Sequence, residues 1–275
     1  MTKIPVTVLI MTQNEAVNIR HALESVIADF DQVIVADSFS SDGTLDIIRE
    51  FPAVEFYQHR FEGWAEQRNW MLDNCGIKNS KVIFLDADEY LTPAFIAELR
   101  GLLGSGREFS SVKVRPELVF MGKVLRFAYG HPKIGRLFSR AVRFAGAGAR
   151  EYAIVSGPQL EISSPLMHRD RKPLSALWGK HLANAEREAA EYEGLGRREP
   201  VPEKSVDEDA LSRMDLRRNI WDRLPLILRP LCYFGYRYVF KLGFLDGLPG
   251  FVYCFMQAFA YQMMIDVKIL RRKAF

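Results

Sequence analysis

The residues most able to do chemistry stand together in "KVIFLDADEYLTP", residues 81–93. The apolar run Ile83, Phe84, Leu85 leads straight into the acids Asp86, Asp88 and Glu89. Carboxylates crowded at the rim of a core repel one another and lose hydration, so a positive partner should sit there. A divalent cation is the simplest such partner. Asp86 and Asp88, separated by one small residue, share a face if the strand end is extended. Hard oxygen ligands of this kind suit Mg²⁺ or Mn²⁺, ions that commonly bridge a protein to phosphates. An acid-rich helix start before Pro93 is the competing explanation, because acids are favoured at helix N-termini.

Two further polar clusters have the same placement after apolar runs. "TQNE" (12–15) offers Thr12, Asn14 and Glu15, and "DSFSSDGT" (37–44) offers Asp37, Ser38 and Asp42. Asp and Asn side chains match the paired donors and acceptors of a nucleotide base and the hydroxyls of a ribose. The second cluster is also a plain turn composition. "GWAEQRNWML" (63–72) adds Arg68 and Asn69 near a helix start. Arg68 could counter phosphate or acid charge, or it could be a surface arginine.

The elements that must carry these groups alternate. Strand patterns at 6–10, 32–37, 54–58 and 81–86 are separated by helix patterns at Glu15–Ile27, Thr44–Phe51 and about Gly63–Asn74, and Pro93 opens another helix with Thr92 as N-cap. Such alternation predicts an α/β fold with a mostly parallel, doubly wound sheet. Ligands of such sheets bind at the carboxyl ends of strands, where the polar clusters fall. Residues 105–165, with shorter β-like runs broken by Gly, are expected to form a mixed extension of the sheet.

Composition bounds the remaining classes. The 275 residues are 48% hydrophobic and 26% charged, a globular balance. Cys75, Cys232 and Cys254 have neither CxxC spacing nor an even count, which argues against a disulfide framework or zinc site and fits a reducing cytoplasm. The N-terminus lacks the pattern of a signal peptide. From Leu211 onward eleven Lys or Arg face four Asp or Glu, a charge of +7, so residues 1–210 sum to −4. This divides the chain into a catalytic region, 1–210, and a basic, aromatic helical region, 211–275, with the charged stretch 197–210 as a linker or exposed loop. The tail's basic residues alternate with large apolar ones and no zinc-finger or RNA-binding signature is present, which argues against nucleic acid. Its uncharged run from Gly247 to Ile265 contains Pro249 and Gln257, so interfacial helices on an anionic membrane surface are expected rather than a span. Packing on the body, or a homo-oligomer interface, is the other use of the same residues.

Taken in order and spacing, T-x-N-E, D-S-x-S-x-D-G-T, G-x-x-x-Q-R-N and L-D-A-D-E resemble the inverting glycosyltransferases of family 2, over about residues 4–100. The branch that is most similar includes lipopolysaccharide core β-1,4-glucosyltransferases, through "GRLFSR", "SPLMHRD" and "GFLDGLPGF". The resemblance implies a GT-A fold, a UDP-sugar donor, Mg²⁺ or Mn²⁺ and a single inverting displacement. It also implies site roles: Thr12, Asn14, Glu15, Asp37 and Ser38 around the uridine, Arg68 near the nucleotide, Asp86 toward the sugar or ribose, and Asp88 on the metal. Two departures stand out. Phe39 occupies a position where the branch usually has Gly. Arg150 stands where a His commonly precedes the glutamate, leaving Glu151 as the candidate general base, or else a structural glutamate. His168 is read as a core or acceptor-site histidine.

The implied function is transfer of a hexose, glucose by family analogy, to a lipid-linked saccharide such as lipopolysaccharide core or another envelope glycan. The enzyme would lie peripherally on the inner face of the cell membrane. The alternatives are a polyprenyl-phosphate sugar transferase and a catalytically silent relative acting as an interaction subunit.

Overall fold

The computed structural model describes residues 2–130, 133–146, 151–193 and 224–274. The expected linker at 197–210, the boundary at 210/211 and Arg150 lie outside the described residues. The described chain forms two compact units. One draws on residues 2–117 and 133–171, the other on 118–130, 172–193 and 224–274.

In the first unit, β1 (Ile4–Thr12) is buried at every position but Pro5. A strand apolar on both faces belongs in the middle of a parallel sheet covered on both sides, and β1 lies there. It pairs in parallel with β2 (Phe30–Asp37) on one side and β4 (Lys81–Asp86) on the other. β3 (Val54–Gln58) adds outside β2, again in parallel. The connecting helices are α1 (Ile19–Glu24), α2 (Thr44–Arg49) and α3 (Trp64–Asn74). The short strand β5 (Glu89–Leu91) precedes α4 (Pro93–Gly104), whose N-cap Thr92 accepts from the Phe95 amide at 3.1 Å. β6 (Ser111–Val114), β9 (Ile134–Ser139) and β12 (Gln159–Glu161) complete a seven-stranded sheet of order β12-β6-β9-β4-β1-β2-β3. Outside it, β10 (Arg143–Ala145) pairs with β11 (Tyr152–Ile154), and β13 (Leu166–His168) pairs antiparallel with β5. The doubly wound order and the mixed extension are those expected from the sequence.

One boundary differs. α1 was expected from Glu15 but begins at Ile19. The amides of Glu15 and Ala16 are engaged elsewhere, by Thr44 Oγ1 at 2.8 Å and Asp42 Oδ2 at 3.1 Å. These bonds satisfy first-turn amides that have no partner within a helix, and the Glu15 carbonyl still accepts from the Ile19 amide at 2.9 Å, so residues 15–18 form a capped turn leading into α1.

The second unit has its own cores. β7 (Pro116–Phe120) turns into β8 (Lys123–Val124), and Leu118, Leu125 and Ala128 pack with Cys254. α5 (Leu174–Glu193) buries Ala185 and Ala189 against Ile265 and Ile269. α6 (Leu228–Gly235) runs into a π turn (Tyr236–Phe240). A 3₁₀ turn (Gly243–Asp246) leads into α7 (Gly247–Cys254), a π turn (Phe255–Ala260) and α8 (Tyr261–Ala274). Among the described residues no single helix is long and apolar enough to cross a membrane.

Candidate active site

Parallel register carries the polar clusters to one edge. Thr12 lies opposite Asp37, and Met11 opposite Asp86, so the ends of β1, β2 and β4 form a continuous carboxyl-end rim. β9 runs antiparallel to β4, with Ile83 opposite Leu137. Its start therefore lies beside the end of β4, and Arg136 enters the acid cluster.

Three protein cations answer the acids. Arg136 Nη2 donates to Asp86 Oδ2 at 2.7 Å and to Glu89 Oε1 at 2.5 Å. Arg68 Nη2 stands 2.9 Å from Glu151 Oε1 and 3.7 Å from Asp86 Oδ1. His168 Nε2 is 3.2 Å from Asp88 Oδ2. Arg68 and Arg136 are themselves buried, with exposures of 5% and 7%. The Arg68 guanidinium also lies 5.0 Å from the ring centre of Phe84 and 5.2 Å from that of Phe144, so aromatic faces fix its plane.

These pairings set the protonation states. Burial pushes Asp86 upward, but Arg136 and Arg68 outweigh it and hold the carboxyl down at about 2. Burial wins at Glu89, pushing it up to about 7 against the pull of Arg136. It also wins at Glu151, whose carboxyl is raised above the ordinary glutamate value although Arg68 opposes the rise. At His168 burial favours the neutral ring, yet the Asp88 carboxylate prevails and raises it to about 9. Glu151 is thus a half-buried carboxylate of raised basicity, and its buried Oε2 finds no partner among the described residues.

The β1–β2 edge is built differently. Asp37 is fully buried and accepts from the Ser40 amide at 2.9 Å, from the Ser40 hydroxyl and from Gln58 Nε2 at 3.3 Å. The Ser38 amide donates to the Thr12 carbonyl at 2.9 Å. Thr12 Oγ1 is buried without a partner among the described residues. Asn14 Oδ1 accepts from the Ser41 amide at 2.8 Å, and Glu15 Oε2 from Asn18 Nδ2 at 2.8 Å. Asn14 therefore ties the two strand-end loops together, while the Glu15 side chain braces its own loop. Asn14 and Phe39 adopt φ of 55° and 56°, and Phe39 remains 60% exposed. The departure from Gly at position 39 thus falls where the backbone is left-handed and a side chain is disfavoured.

Of the residues singled out in the sequence, the structure gathers Asp86, Arg68 and Glu151 into one ion-paired cluster. Thr12, Asp37 and Ser38 gather at the neighbouring strand ends, and Asp88 meets His168. Arg136 is the part that sequence reasoning missed; Glu89 was named among the acids there but given no role. The signal was an arginine inside the apolar strand "KIGRLFS", a position that requires a buried acid partner.

Among the described residues no group of three or more His, Cys, Asp or Glu is arranged to hold a metal unaided. Asp86 is committed to two arginines. Asp88 supplies a carboxylate that fits a hard ion completing its shell with phosphate oxygens and water, whereas His168, kept protonated by that carboxylate, offers no lone pair to a metal.

Comparison with known proteins finds glycosyltransferases. Residues 7–140, a little under half of the chain, match the profile of the family described as Glycosyl transferase family 2. The chain is 36% identical over 88 residues to the SPbeta prophage-derived glycosyltransferase SunS of Bacillus subtilis, covering 30% of this chain and 20% of that protein. It is 30% identical over 116 residues to an uncharacterized glycosyltransferase of Rickettsia bellii, covering 42% of this chain and 38% of that one. The match thus spans between a fifth and two fifths of these relatives. Solved structures that resemble it include S. aureus TarS 1–349, with TM-score 0.47 and 15% identity over 99% of this chain and 92% of that one. Another is glucosyl-3-phosphoglycerate synthase from Mycobacterium tuberculosis with Mn²⁺, UDP and glucosyl-3-phosphoglycerate, with TM-score 0.45 and 18% identity over 70% of this chain and 81% of that one. The sheet order and the profile match together define a GT-A-like α/β fold.

Proposed function

We propose that the protein is an inverting, metal-assisted glycosyltransferase that moves a hexose from a UDP-sugar to a lipid-anchored saccharide. The observation that carries this reading is the cluster at the end of β4. There one guanidinium, Arg68, holds a half-buried carboxylate of raised basicity, Glu151, 2.9 Å away and faces Asp86 at 3.7 Å. In this reading the acceptor hydroxyl attacks the anomeric carbon from the face opposite the diphosphate. Its proton passes to Glu151 as the new C–O bond forms. The bond from the anomeric carbon to the diphosphate oxygen breaks, and its electron pair leaves with UDP.

Asp86, held ionised by Arg136 and Arg68, orients sugar or ribose hydroxyls by accepting their hydrogen bonds. Thr12, Asp37 and Ser38 receive the uridine. Asp88, with His168 beside it, would hold Mg²⁺ or Mn²⁺; such an ion offsets negative charge on the departing diphosphate when bound. Glucose is the expected hexose, and lipopolysaccharide core or another envelope glycan the expected acceptor, reached from the inner face of the cell membrane. The support for that finer part is the motif resemblance and the basic, aromatic C-terminal region. A donor panel with Mn²⁺ or Mg²⁺, read by UDP release, tests the reading. Release from one UDP-hexose that rises with added saccharide acceptor supports it. No release from any UDP-sugar with either metal refutes it.

A further inference from the structure

The C-terminal unit carries an apolar surface that sugar transfer does not use. Val239, Phe240, Leu242, Phe244, Leu245 and Leu248 gather at the turn between the α6 and α7 segments, with Phe240 79% and Leu248 66% exposed. Phe251 and Phe255, each more than 40% exposed, continue the stripe at helical spacing from Phe244 and Leu248. An exposed patch so rich in large side chains marks an interaction surface.

Beneath this surface the turn is tightly built. A side-chain carbon at Gly250 would lie 2.3 Å from the Gly243 carbonyl oxygen, and one at Gly243 would lie 2.8 Å from the Arg237 carbonyl oxygen. The 3₁₀ turn therefore meets the backbone of the helical segments on either side of it at Gly243 and Gly250. Asp246, 2% exposed, accepts from the amides of Arg126, Phe127 and Ala128 at 3.0, 2.9 and 2.8 Å. Lys123 Nζ donates to the Asp246 carbonyl at 2.8 Å, and Arg237 donates to the Ala128 carbonyl. Polar groups of the turn are thus drawn inward, as an apolar medium requires.

Charge identifies the occupant. Within residues 224–274 the acids are Asp246 and Asp266, 2% and 0% exposed, whereas Lys241 and Arg271 face outward. A second copy of this surface would bring like charges together at an apolar contact; an anionic bilayer would meet them with opposite charge. The segments Leu228–Phe240 and Gly243–Arg272 are bent by 67°. A bend of that size suits a turn dipped into one leaflet. We propose that this turn is a preformed wedge that seats the protein in the interfacial layer of an anionic membrane, with Phe240 and Leu248 leading and Lys241 at the headgroups. The proposal deepens the membrane part of the function above, and its test involves neither sugar nor UDP, so each can fail alone.

The test is co-sedimentation of the full chain with phosphatidylglycerol/phosphatidylcholine vesicles and with phosphatidylcholine vesicles alone. Binding to the anionic vesicles is expected. Phe240→Ser with Leu248→Ser should weaken it roughly tenfold or more, and Lys241→Glu by roughly tenfold. All three side chains are exposed, so the fold should survive, which circular dichroism checks. Absence of binding to anionic vesicles overturns the proposal, as does parental binding by the Phe240/Leu248 variant. A lipid-free dimer that the same variant splits, with vesicle binding unchanged, overturns it in favour of a self-interface.

Discussion

Arg68 grips Glu151 through a 2.9 Å Nη2–Oε1 contact, and this pairing decides how the candidate base titrates. Burial raises the Glu151 carboxyl and Arg68 lowers it, with burial prevailing. A base works deprotonated, so turnover should fall as pH drops through a value above the ordinary glutamate range. Replacing Arg68 by Gln removes the opposing cation and should move that acid limb to higher pH. Glu151→Gln should lower transfer by roughly 10²–10⁴ while UDP-sugar binding persists. pH–rate profiles of the three proteins check this; an unmoved limb in Arg68→Gln, or full turnover in Glu151→Gln, would assign the base elsewhere.

A divalent ion at Asp88 makes UDP affinity depend on metal. Calorimetry of the parent should show UDP binding strengthened by Mn²⁺. In Asp88→Ala that gain should vanish, leaving the metal-free affinity in place. The substitution also frees His168 from the carboxylate that keeps it charged, so its ring should titrate lower than the value of about 9 set by the pair. A variant that keeps the full metal dependence of UDP binding would remove Asp88 from the metal.

The parallel half of the sheet was legible because its strands are continuous apolar runs ending in polar clusters, as at Val33–Asp37 and Val82–Asp86. The position of each cluster followed from strand direction alone. Arg136 was not legible, because a single arginine between Gly135 and Leu137 reveals its role only once β9 is known to run antiparallel beside β4. The same holds for the pairing of His168 with Asp88, which depends on β13 returning against β5, 79 residues beyond it at the His168–Glu89 register (a separation no local pattern encodes). The capping of the turn before α1 was hidden for a related reason, since its acceptors are Asp42 and Thr44 in another loop.

Phe39 offers a direct measure of backbone strain. Its φ of 56° suits Gly, and its ring is 60% exposed. Phe39→Gly removes the strain but adds unfolded-state entropy, so the melting temperature should change little. A β-branched residue is worse placed than Phe in that conformation, and Phe39→Val should cost about 1–2 kcal/mol by denaturant titration. Equal stability of the Gly and Val variants would mean that the loop relaxes to another conformation.

The last prediction concerns the buried ion group at the foot of the site. Glu89 is 2% exposed, with Oε1 on Arg136 and Oε2 accepting from the Asp86 amide at 3.1 Å. Burial raises its carboxyl from the ordinary 4.5 to about 7, so the folded chain holds this proton more tightly than the unfolded chain does. Its contribution to stability is then complete below about pH 4.5 and declines as pH rises toward 7. Glu89→Gln keeps the size and one of the two acceptor oxygens but cannot ionise. The variant should therefore gain in melting temperature relative to the parent as pH is raised from 5 to 8, the interval that contains the upper part of this titration. Arg136→Met behaves oppositely, because it strands Asp86 and Glu89 without their shared cation and should cost about 3–5 kcal/mol near neutral pH. Combining it with Glu89→Gln should recover part of that loss at the alkaline end of the range, where Glu89 without Arg136 would have to ionise unpaired. Thermal unfolding of the single and double variants across this pH range measures the coupling, and strictly additive losses would show that Arg136 and Glu89 do not depend on one another.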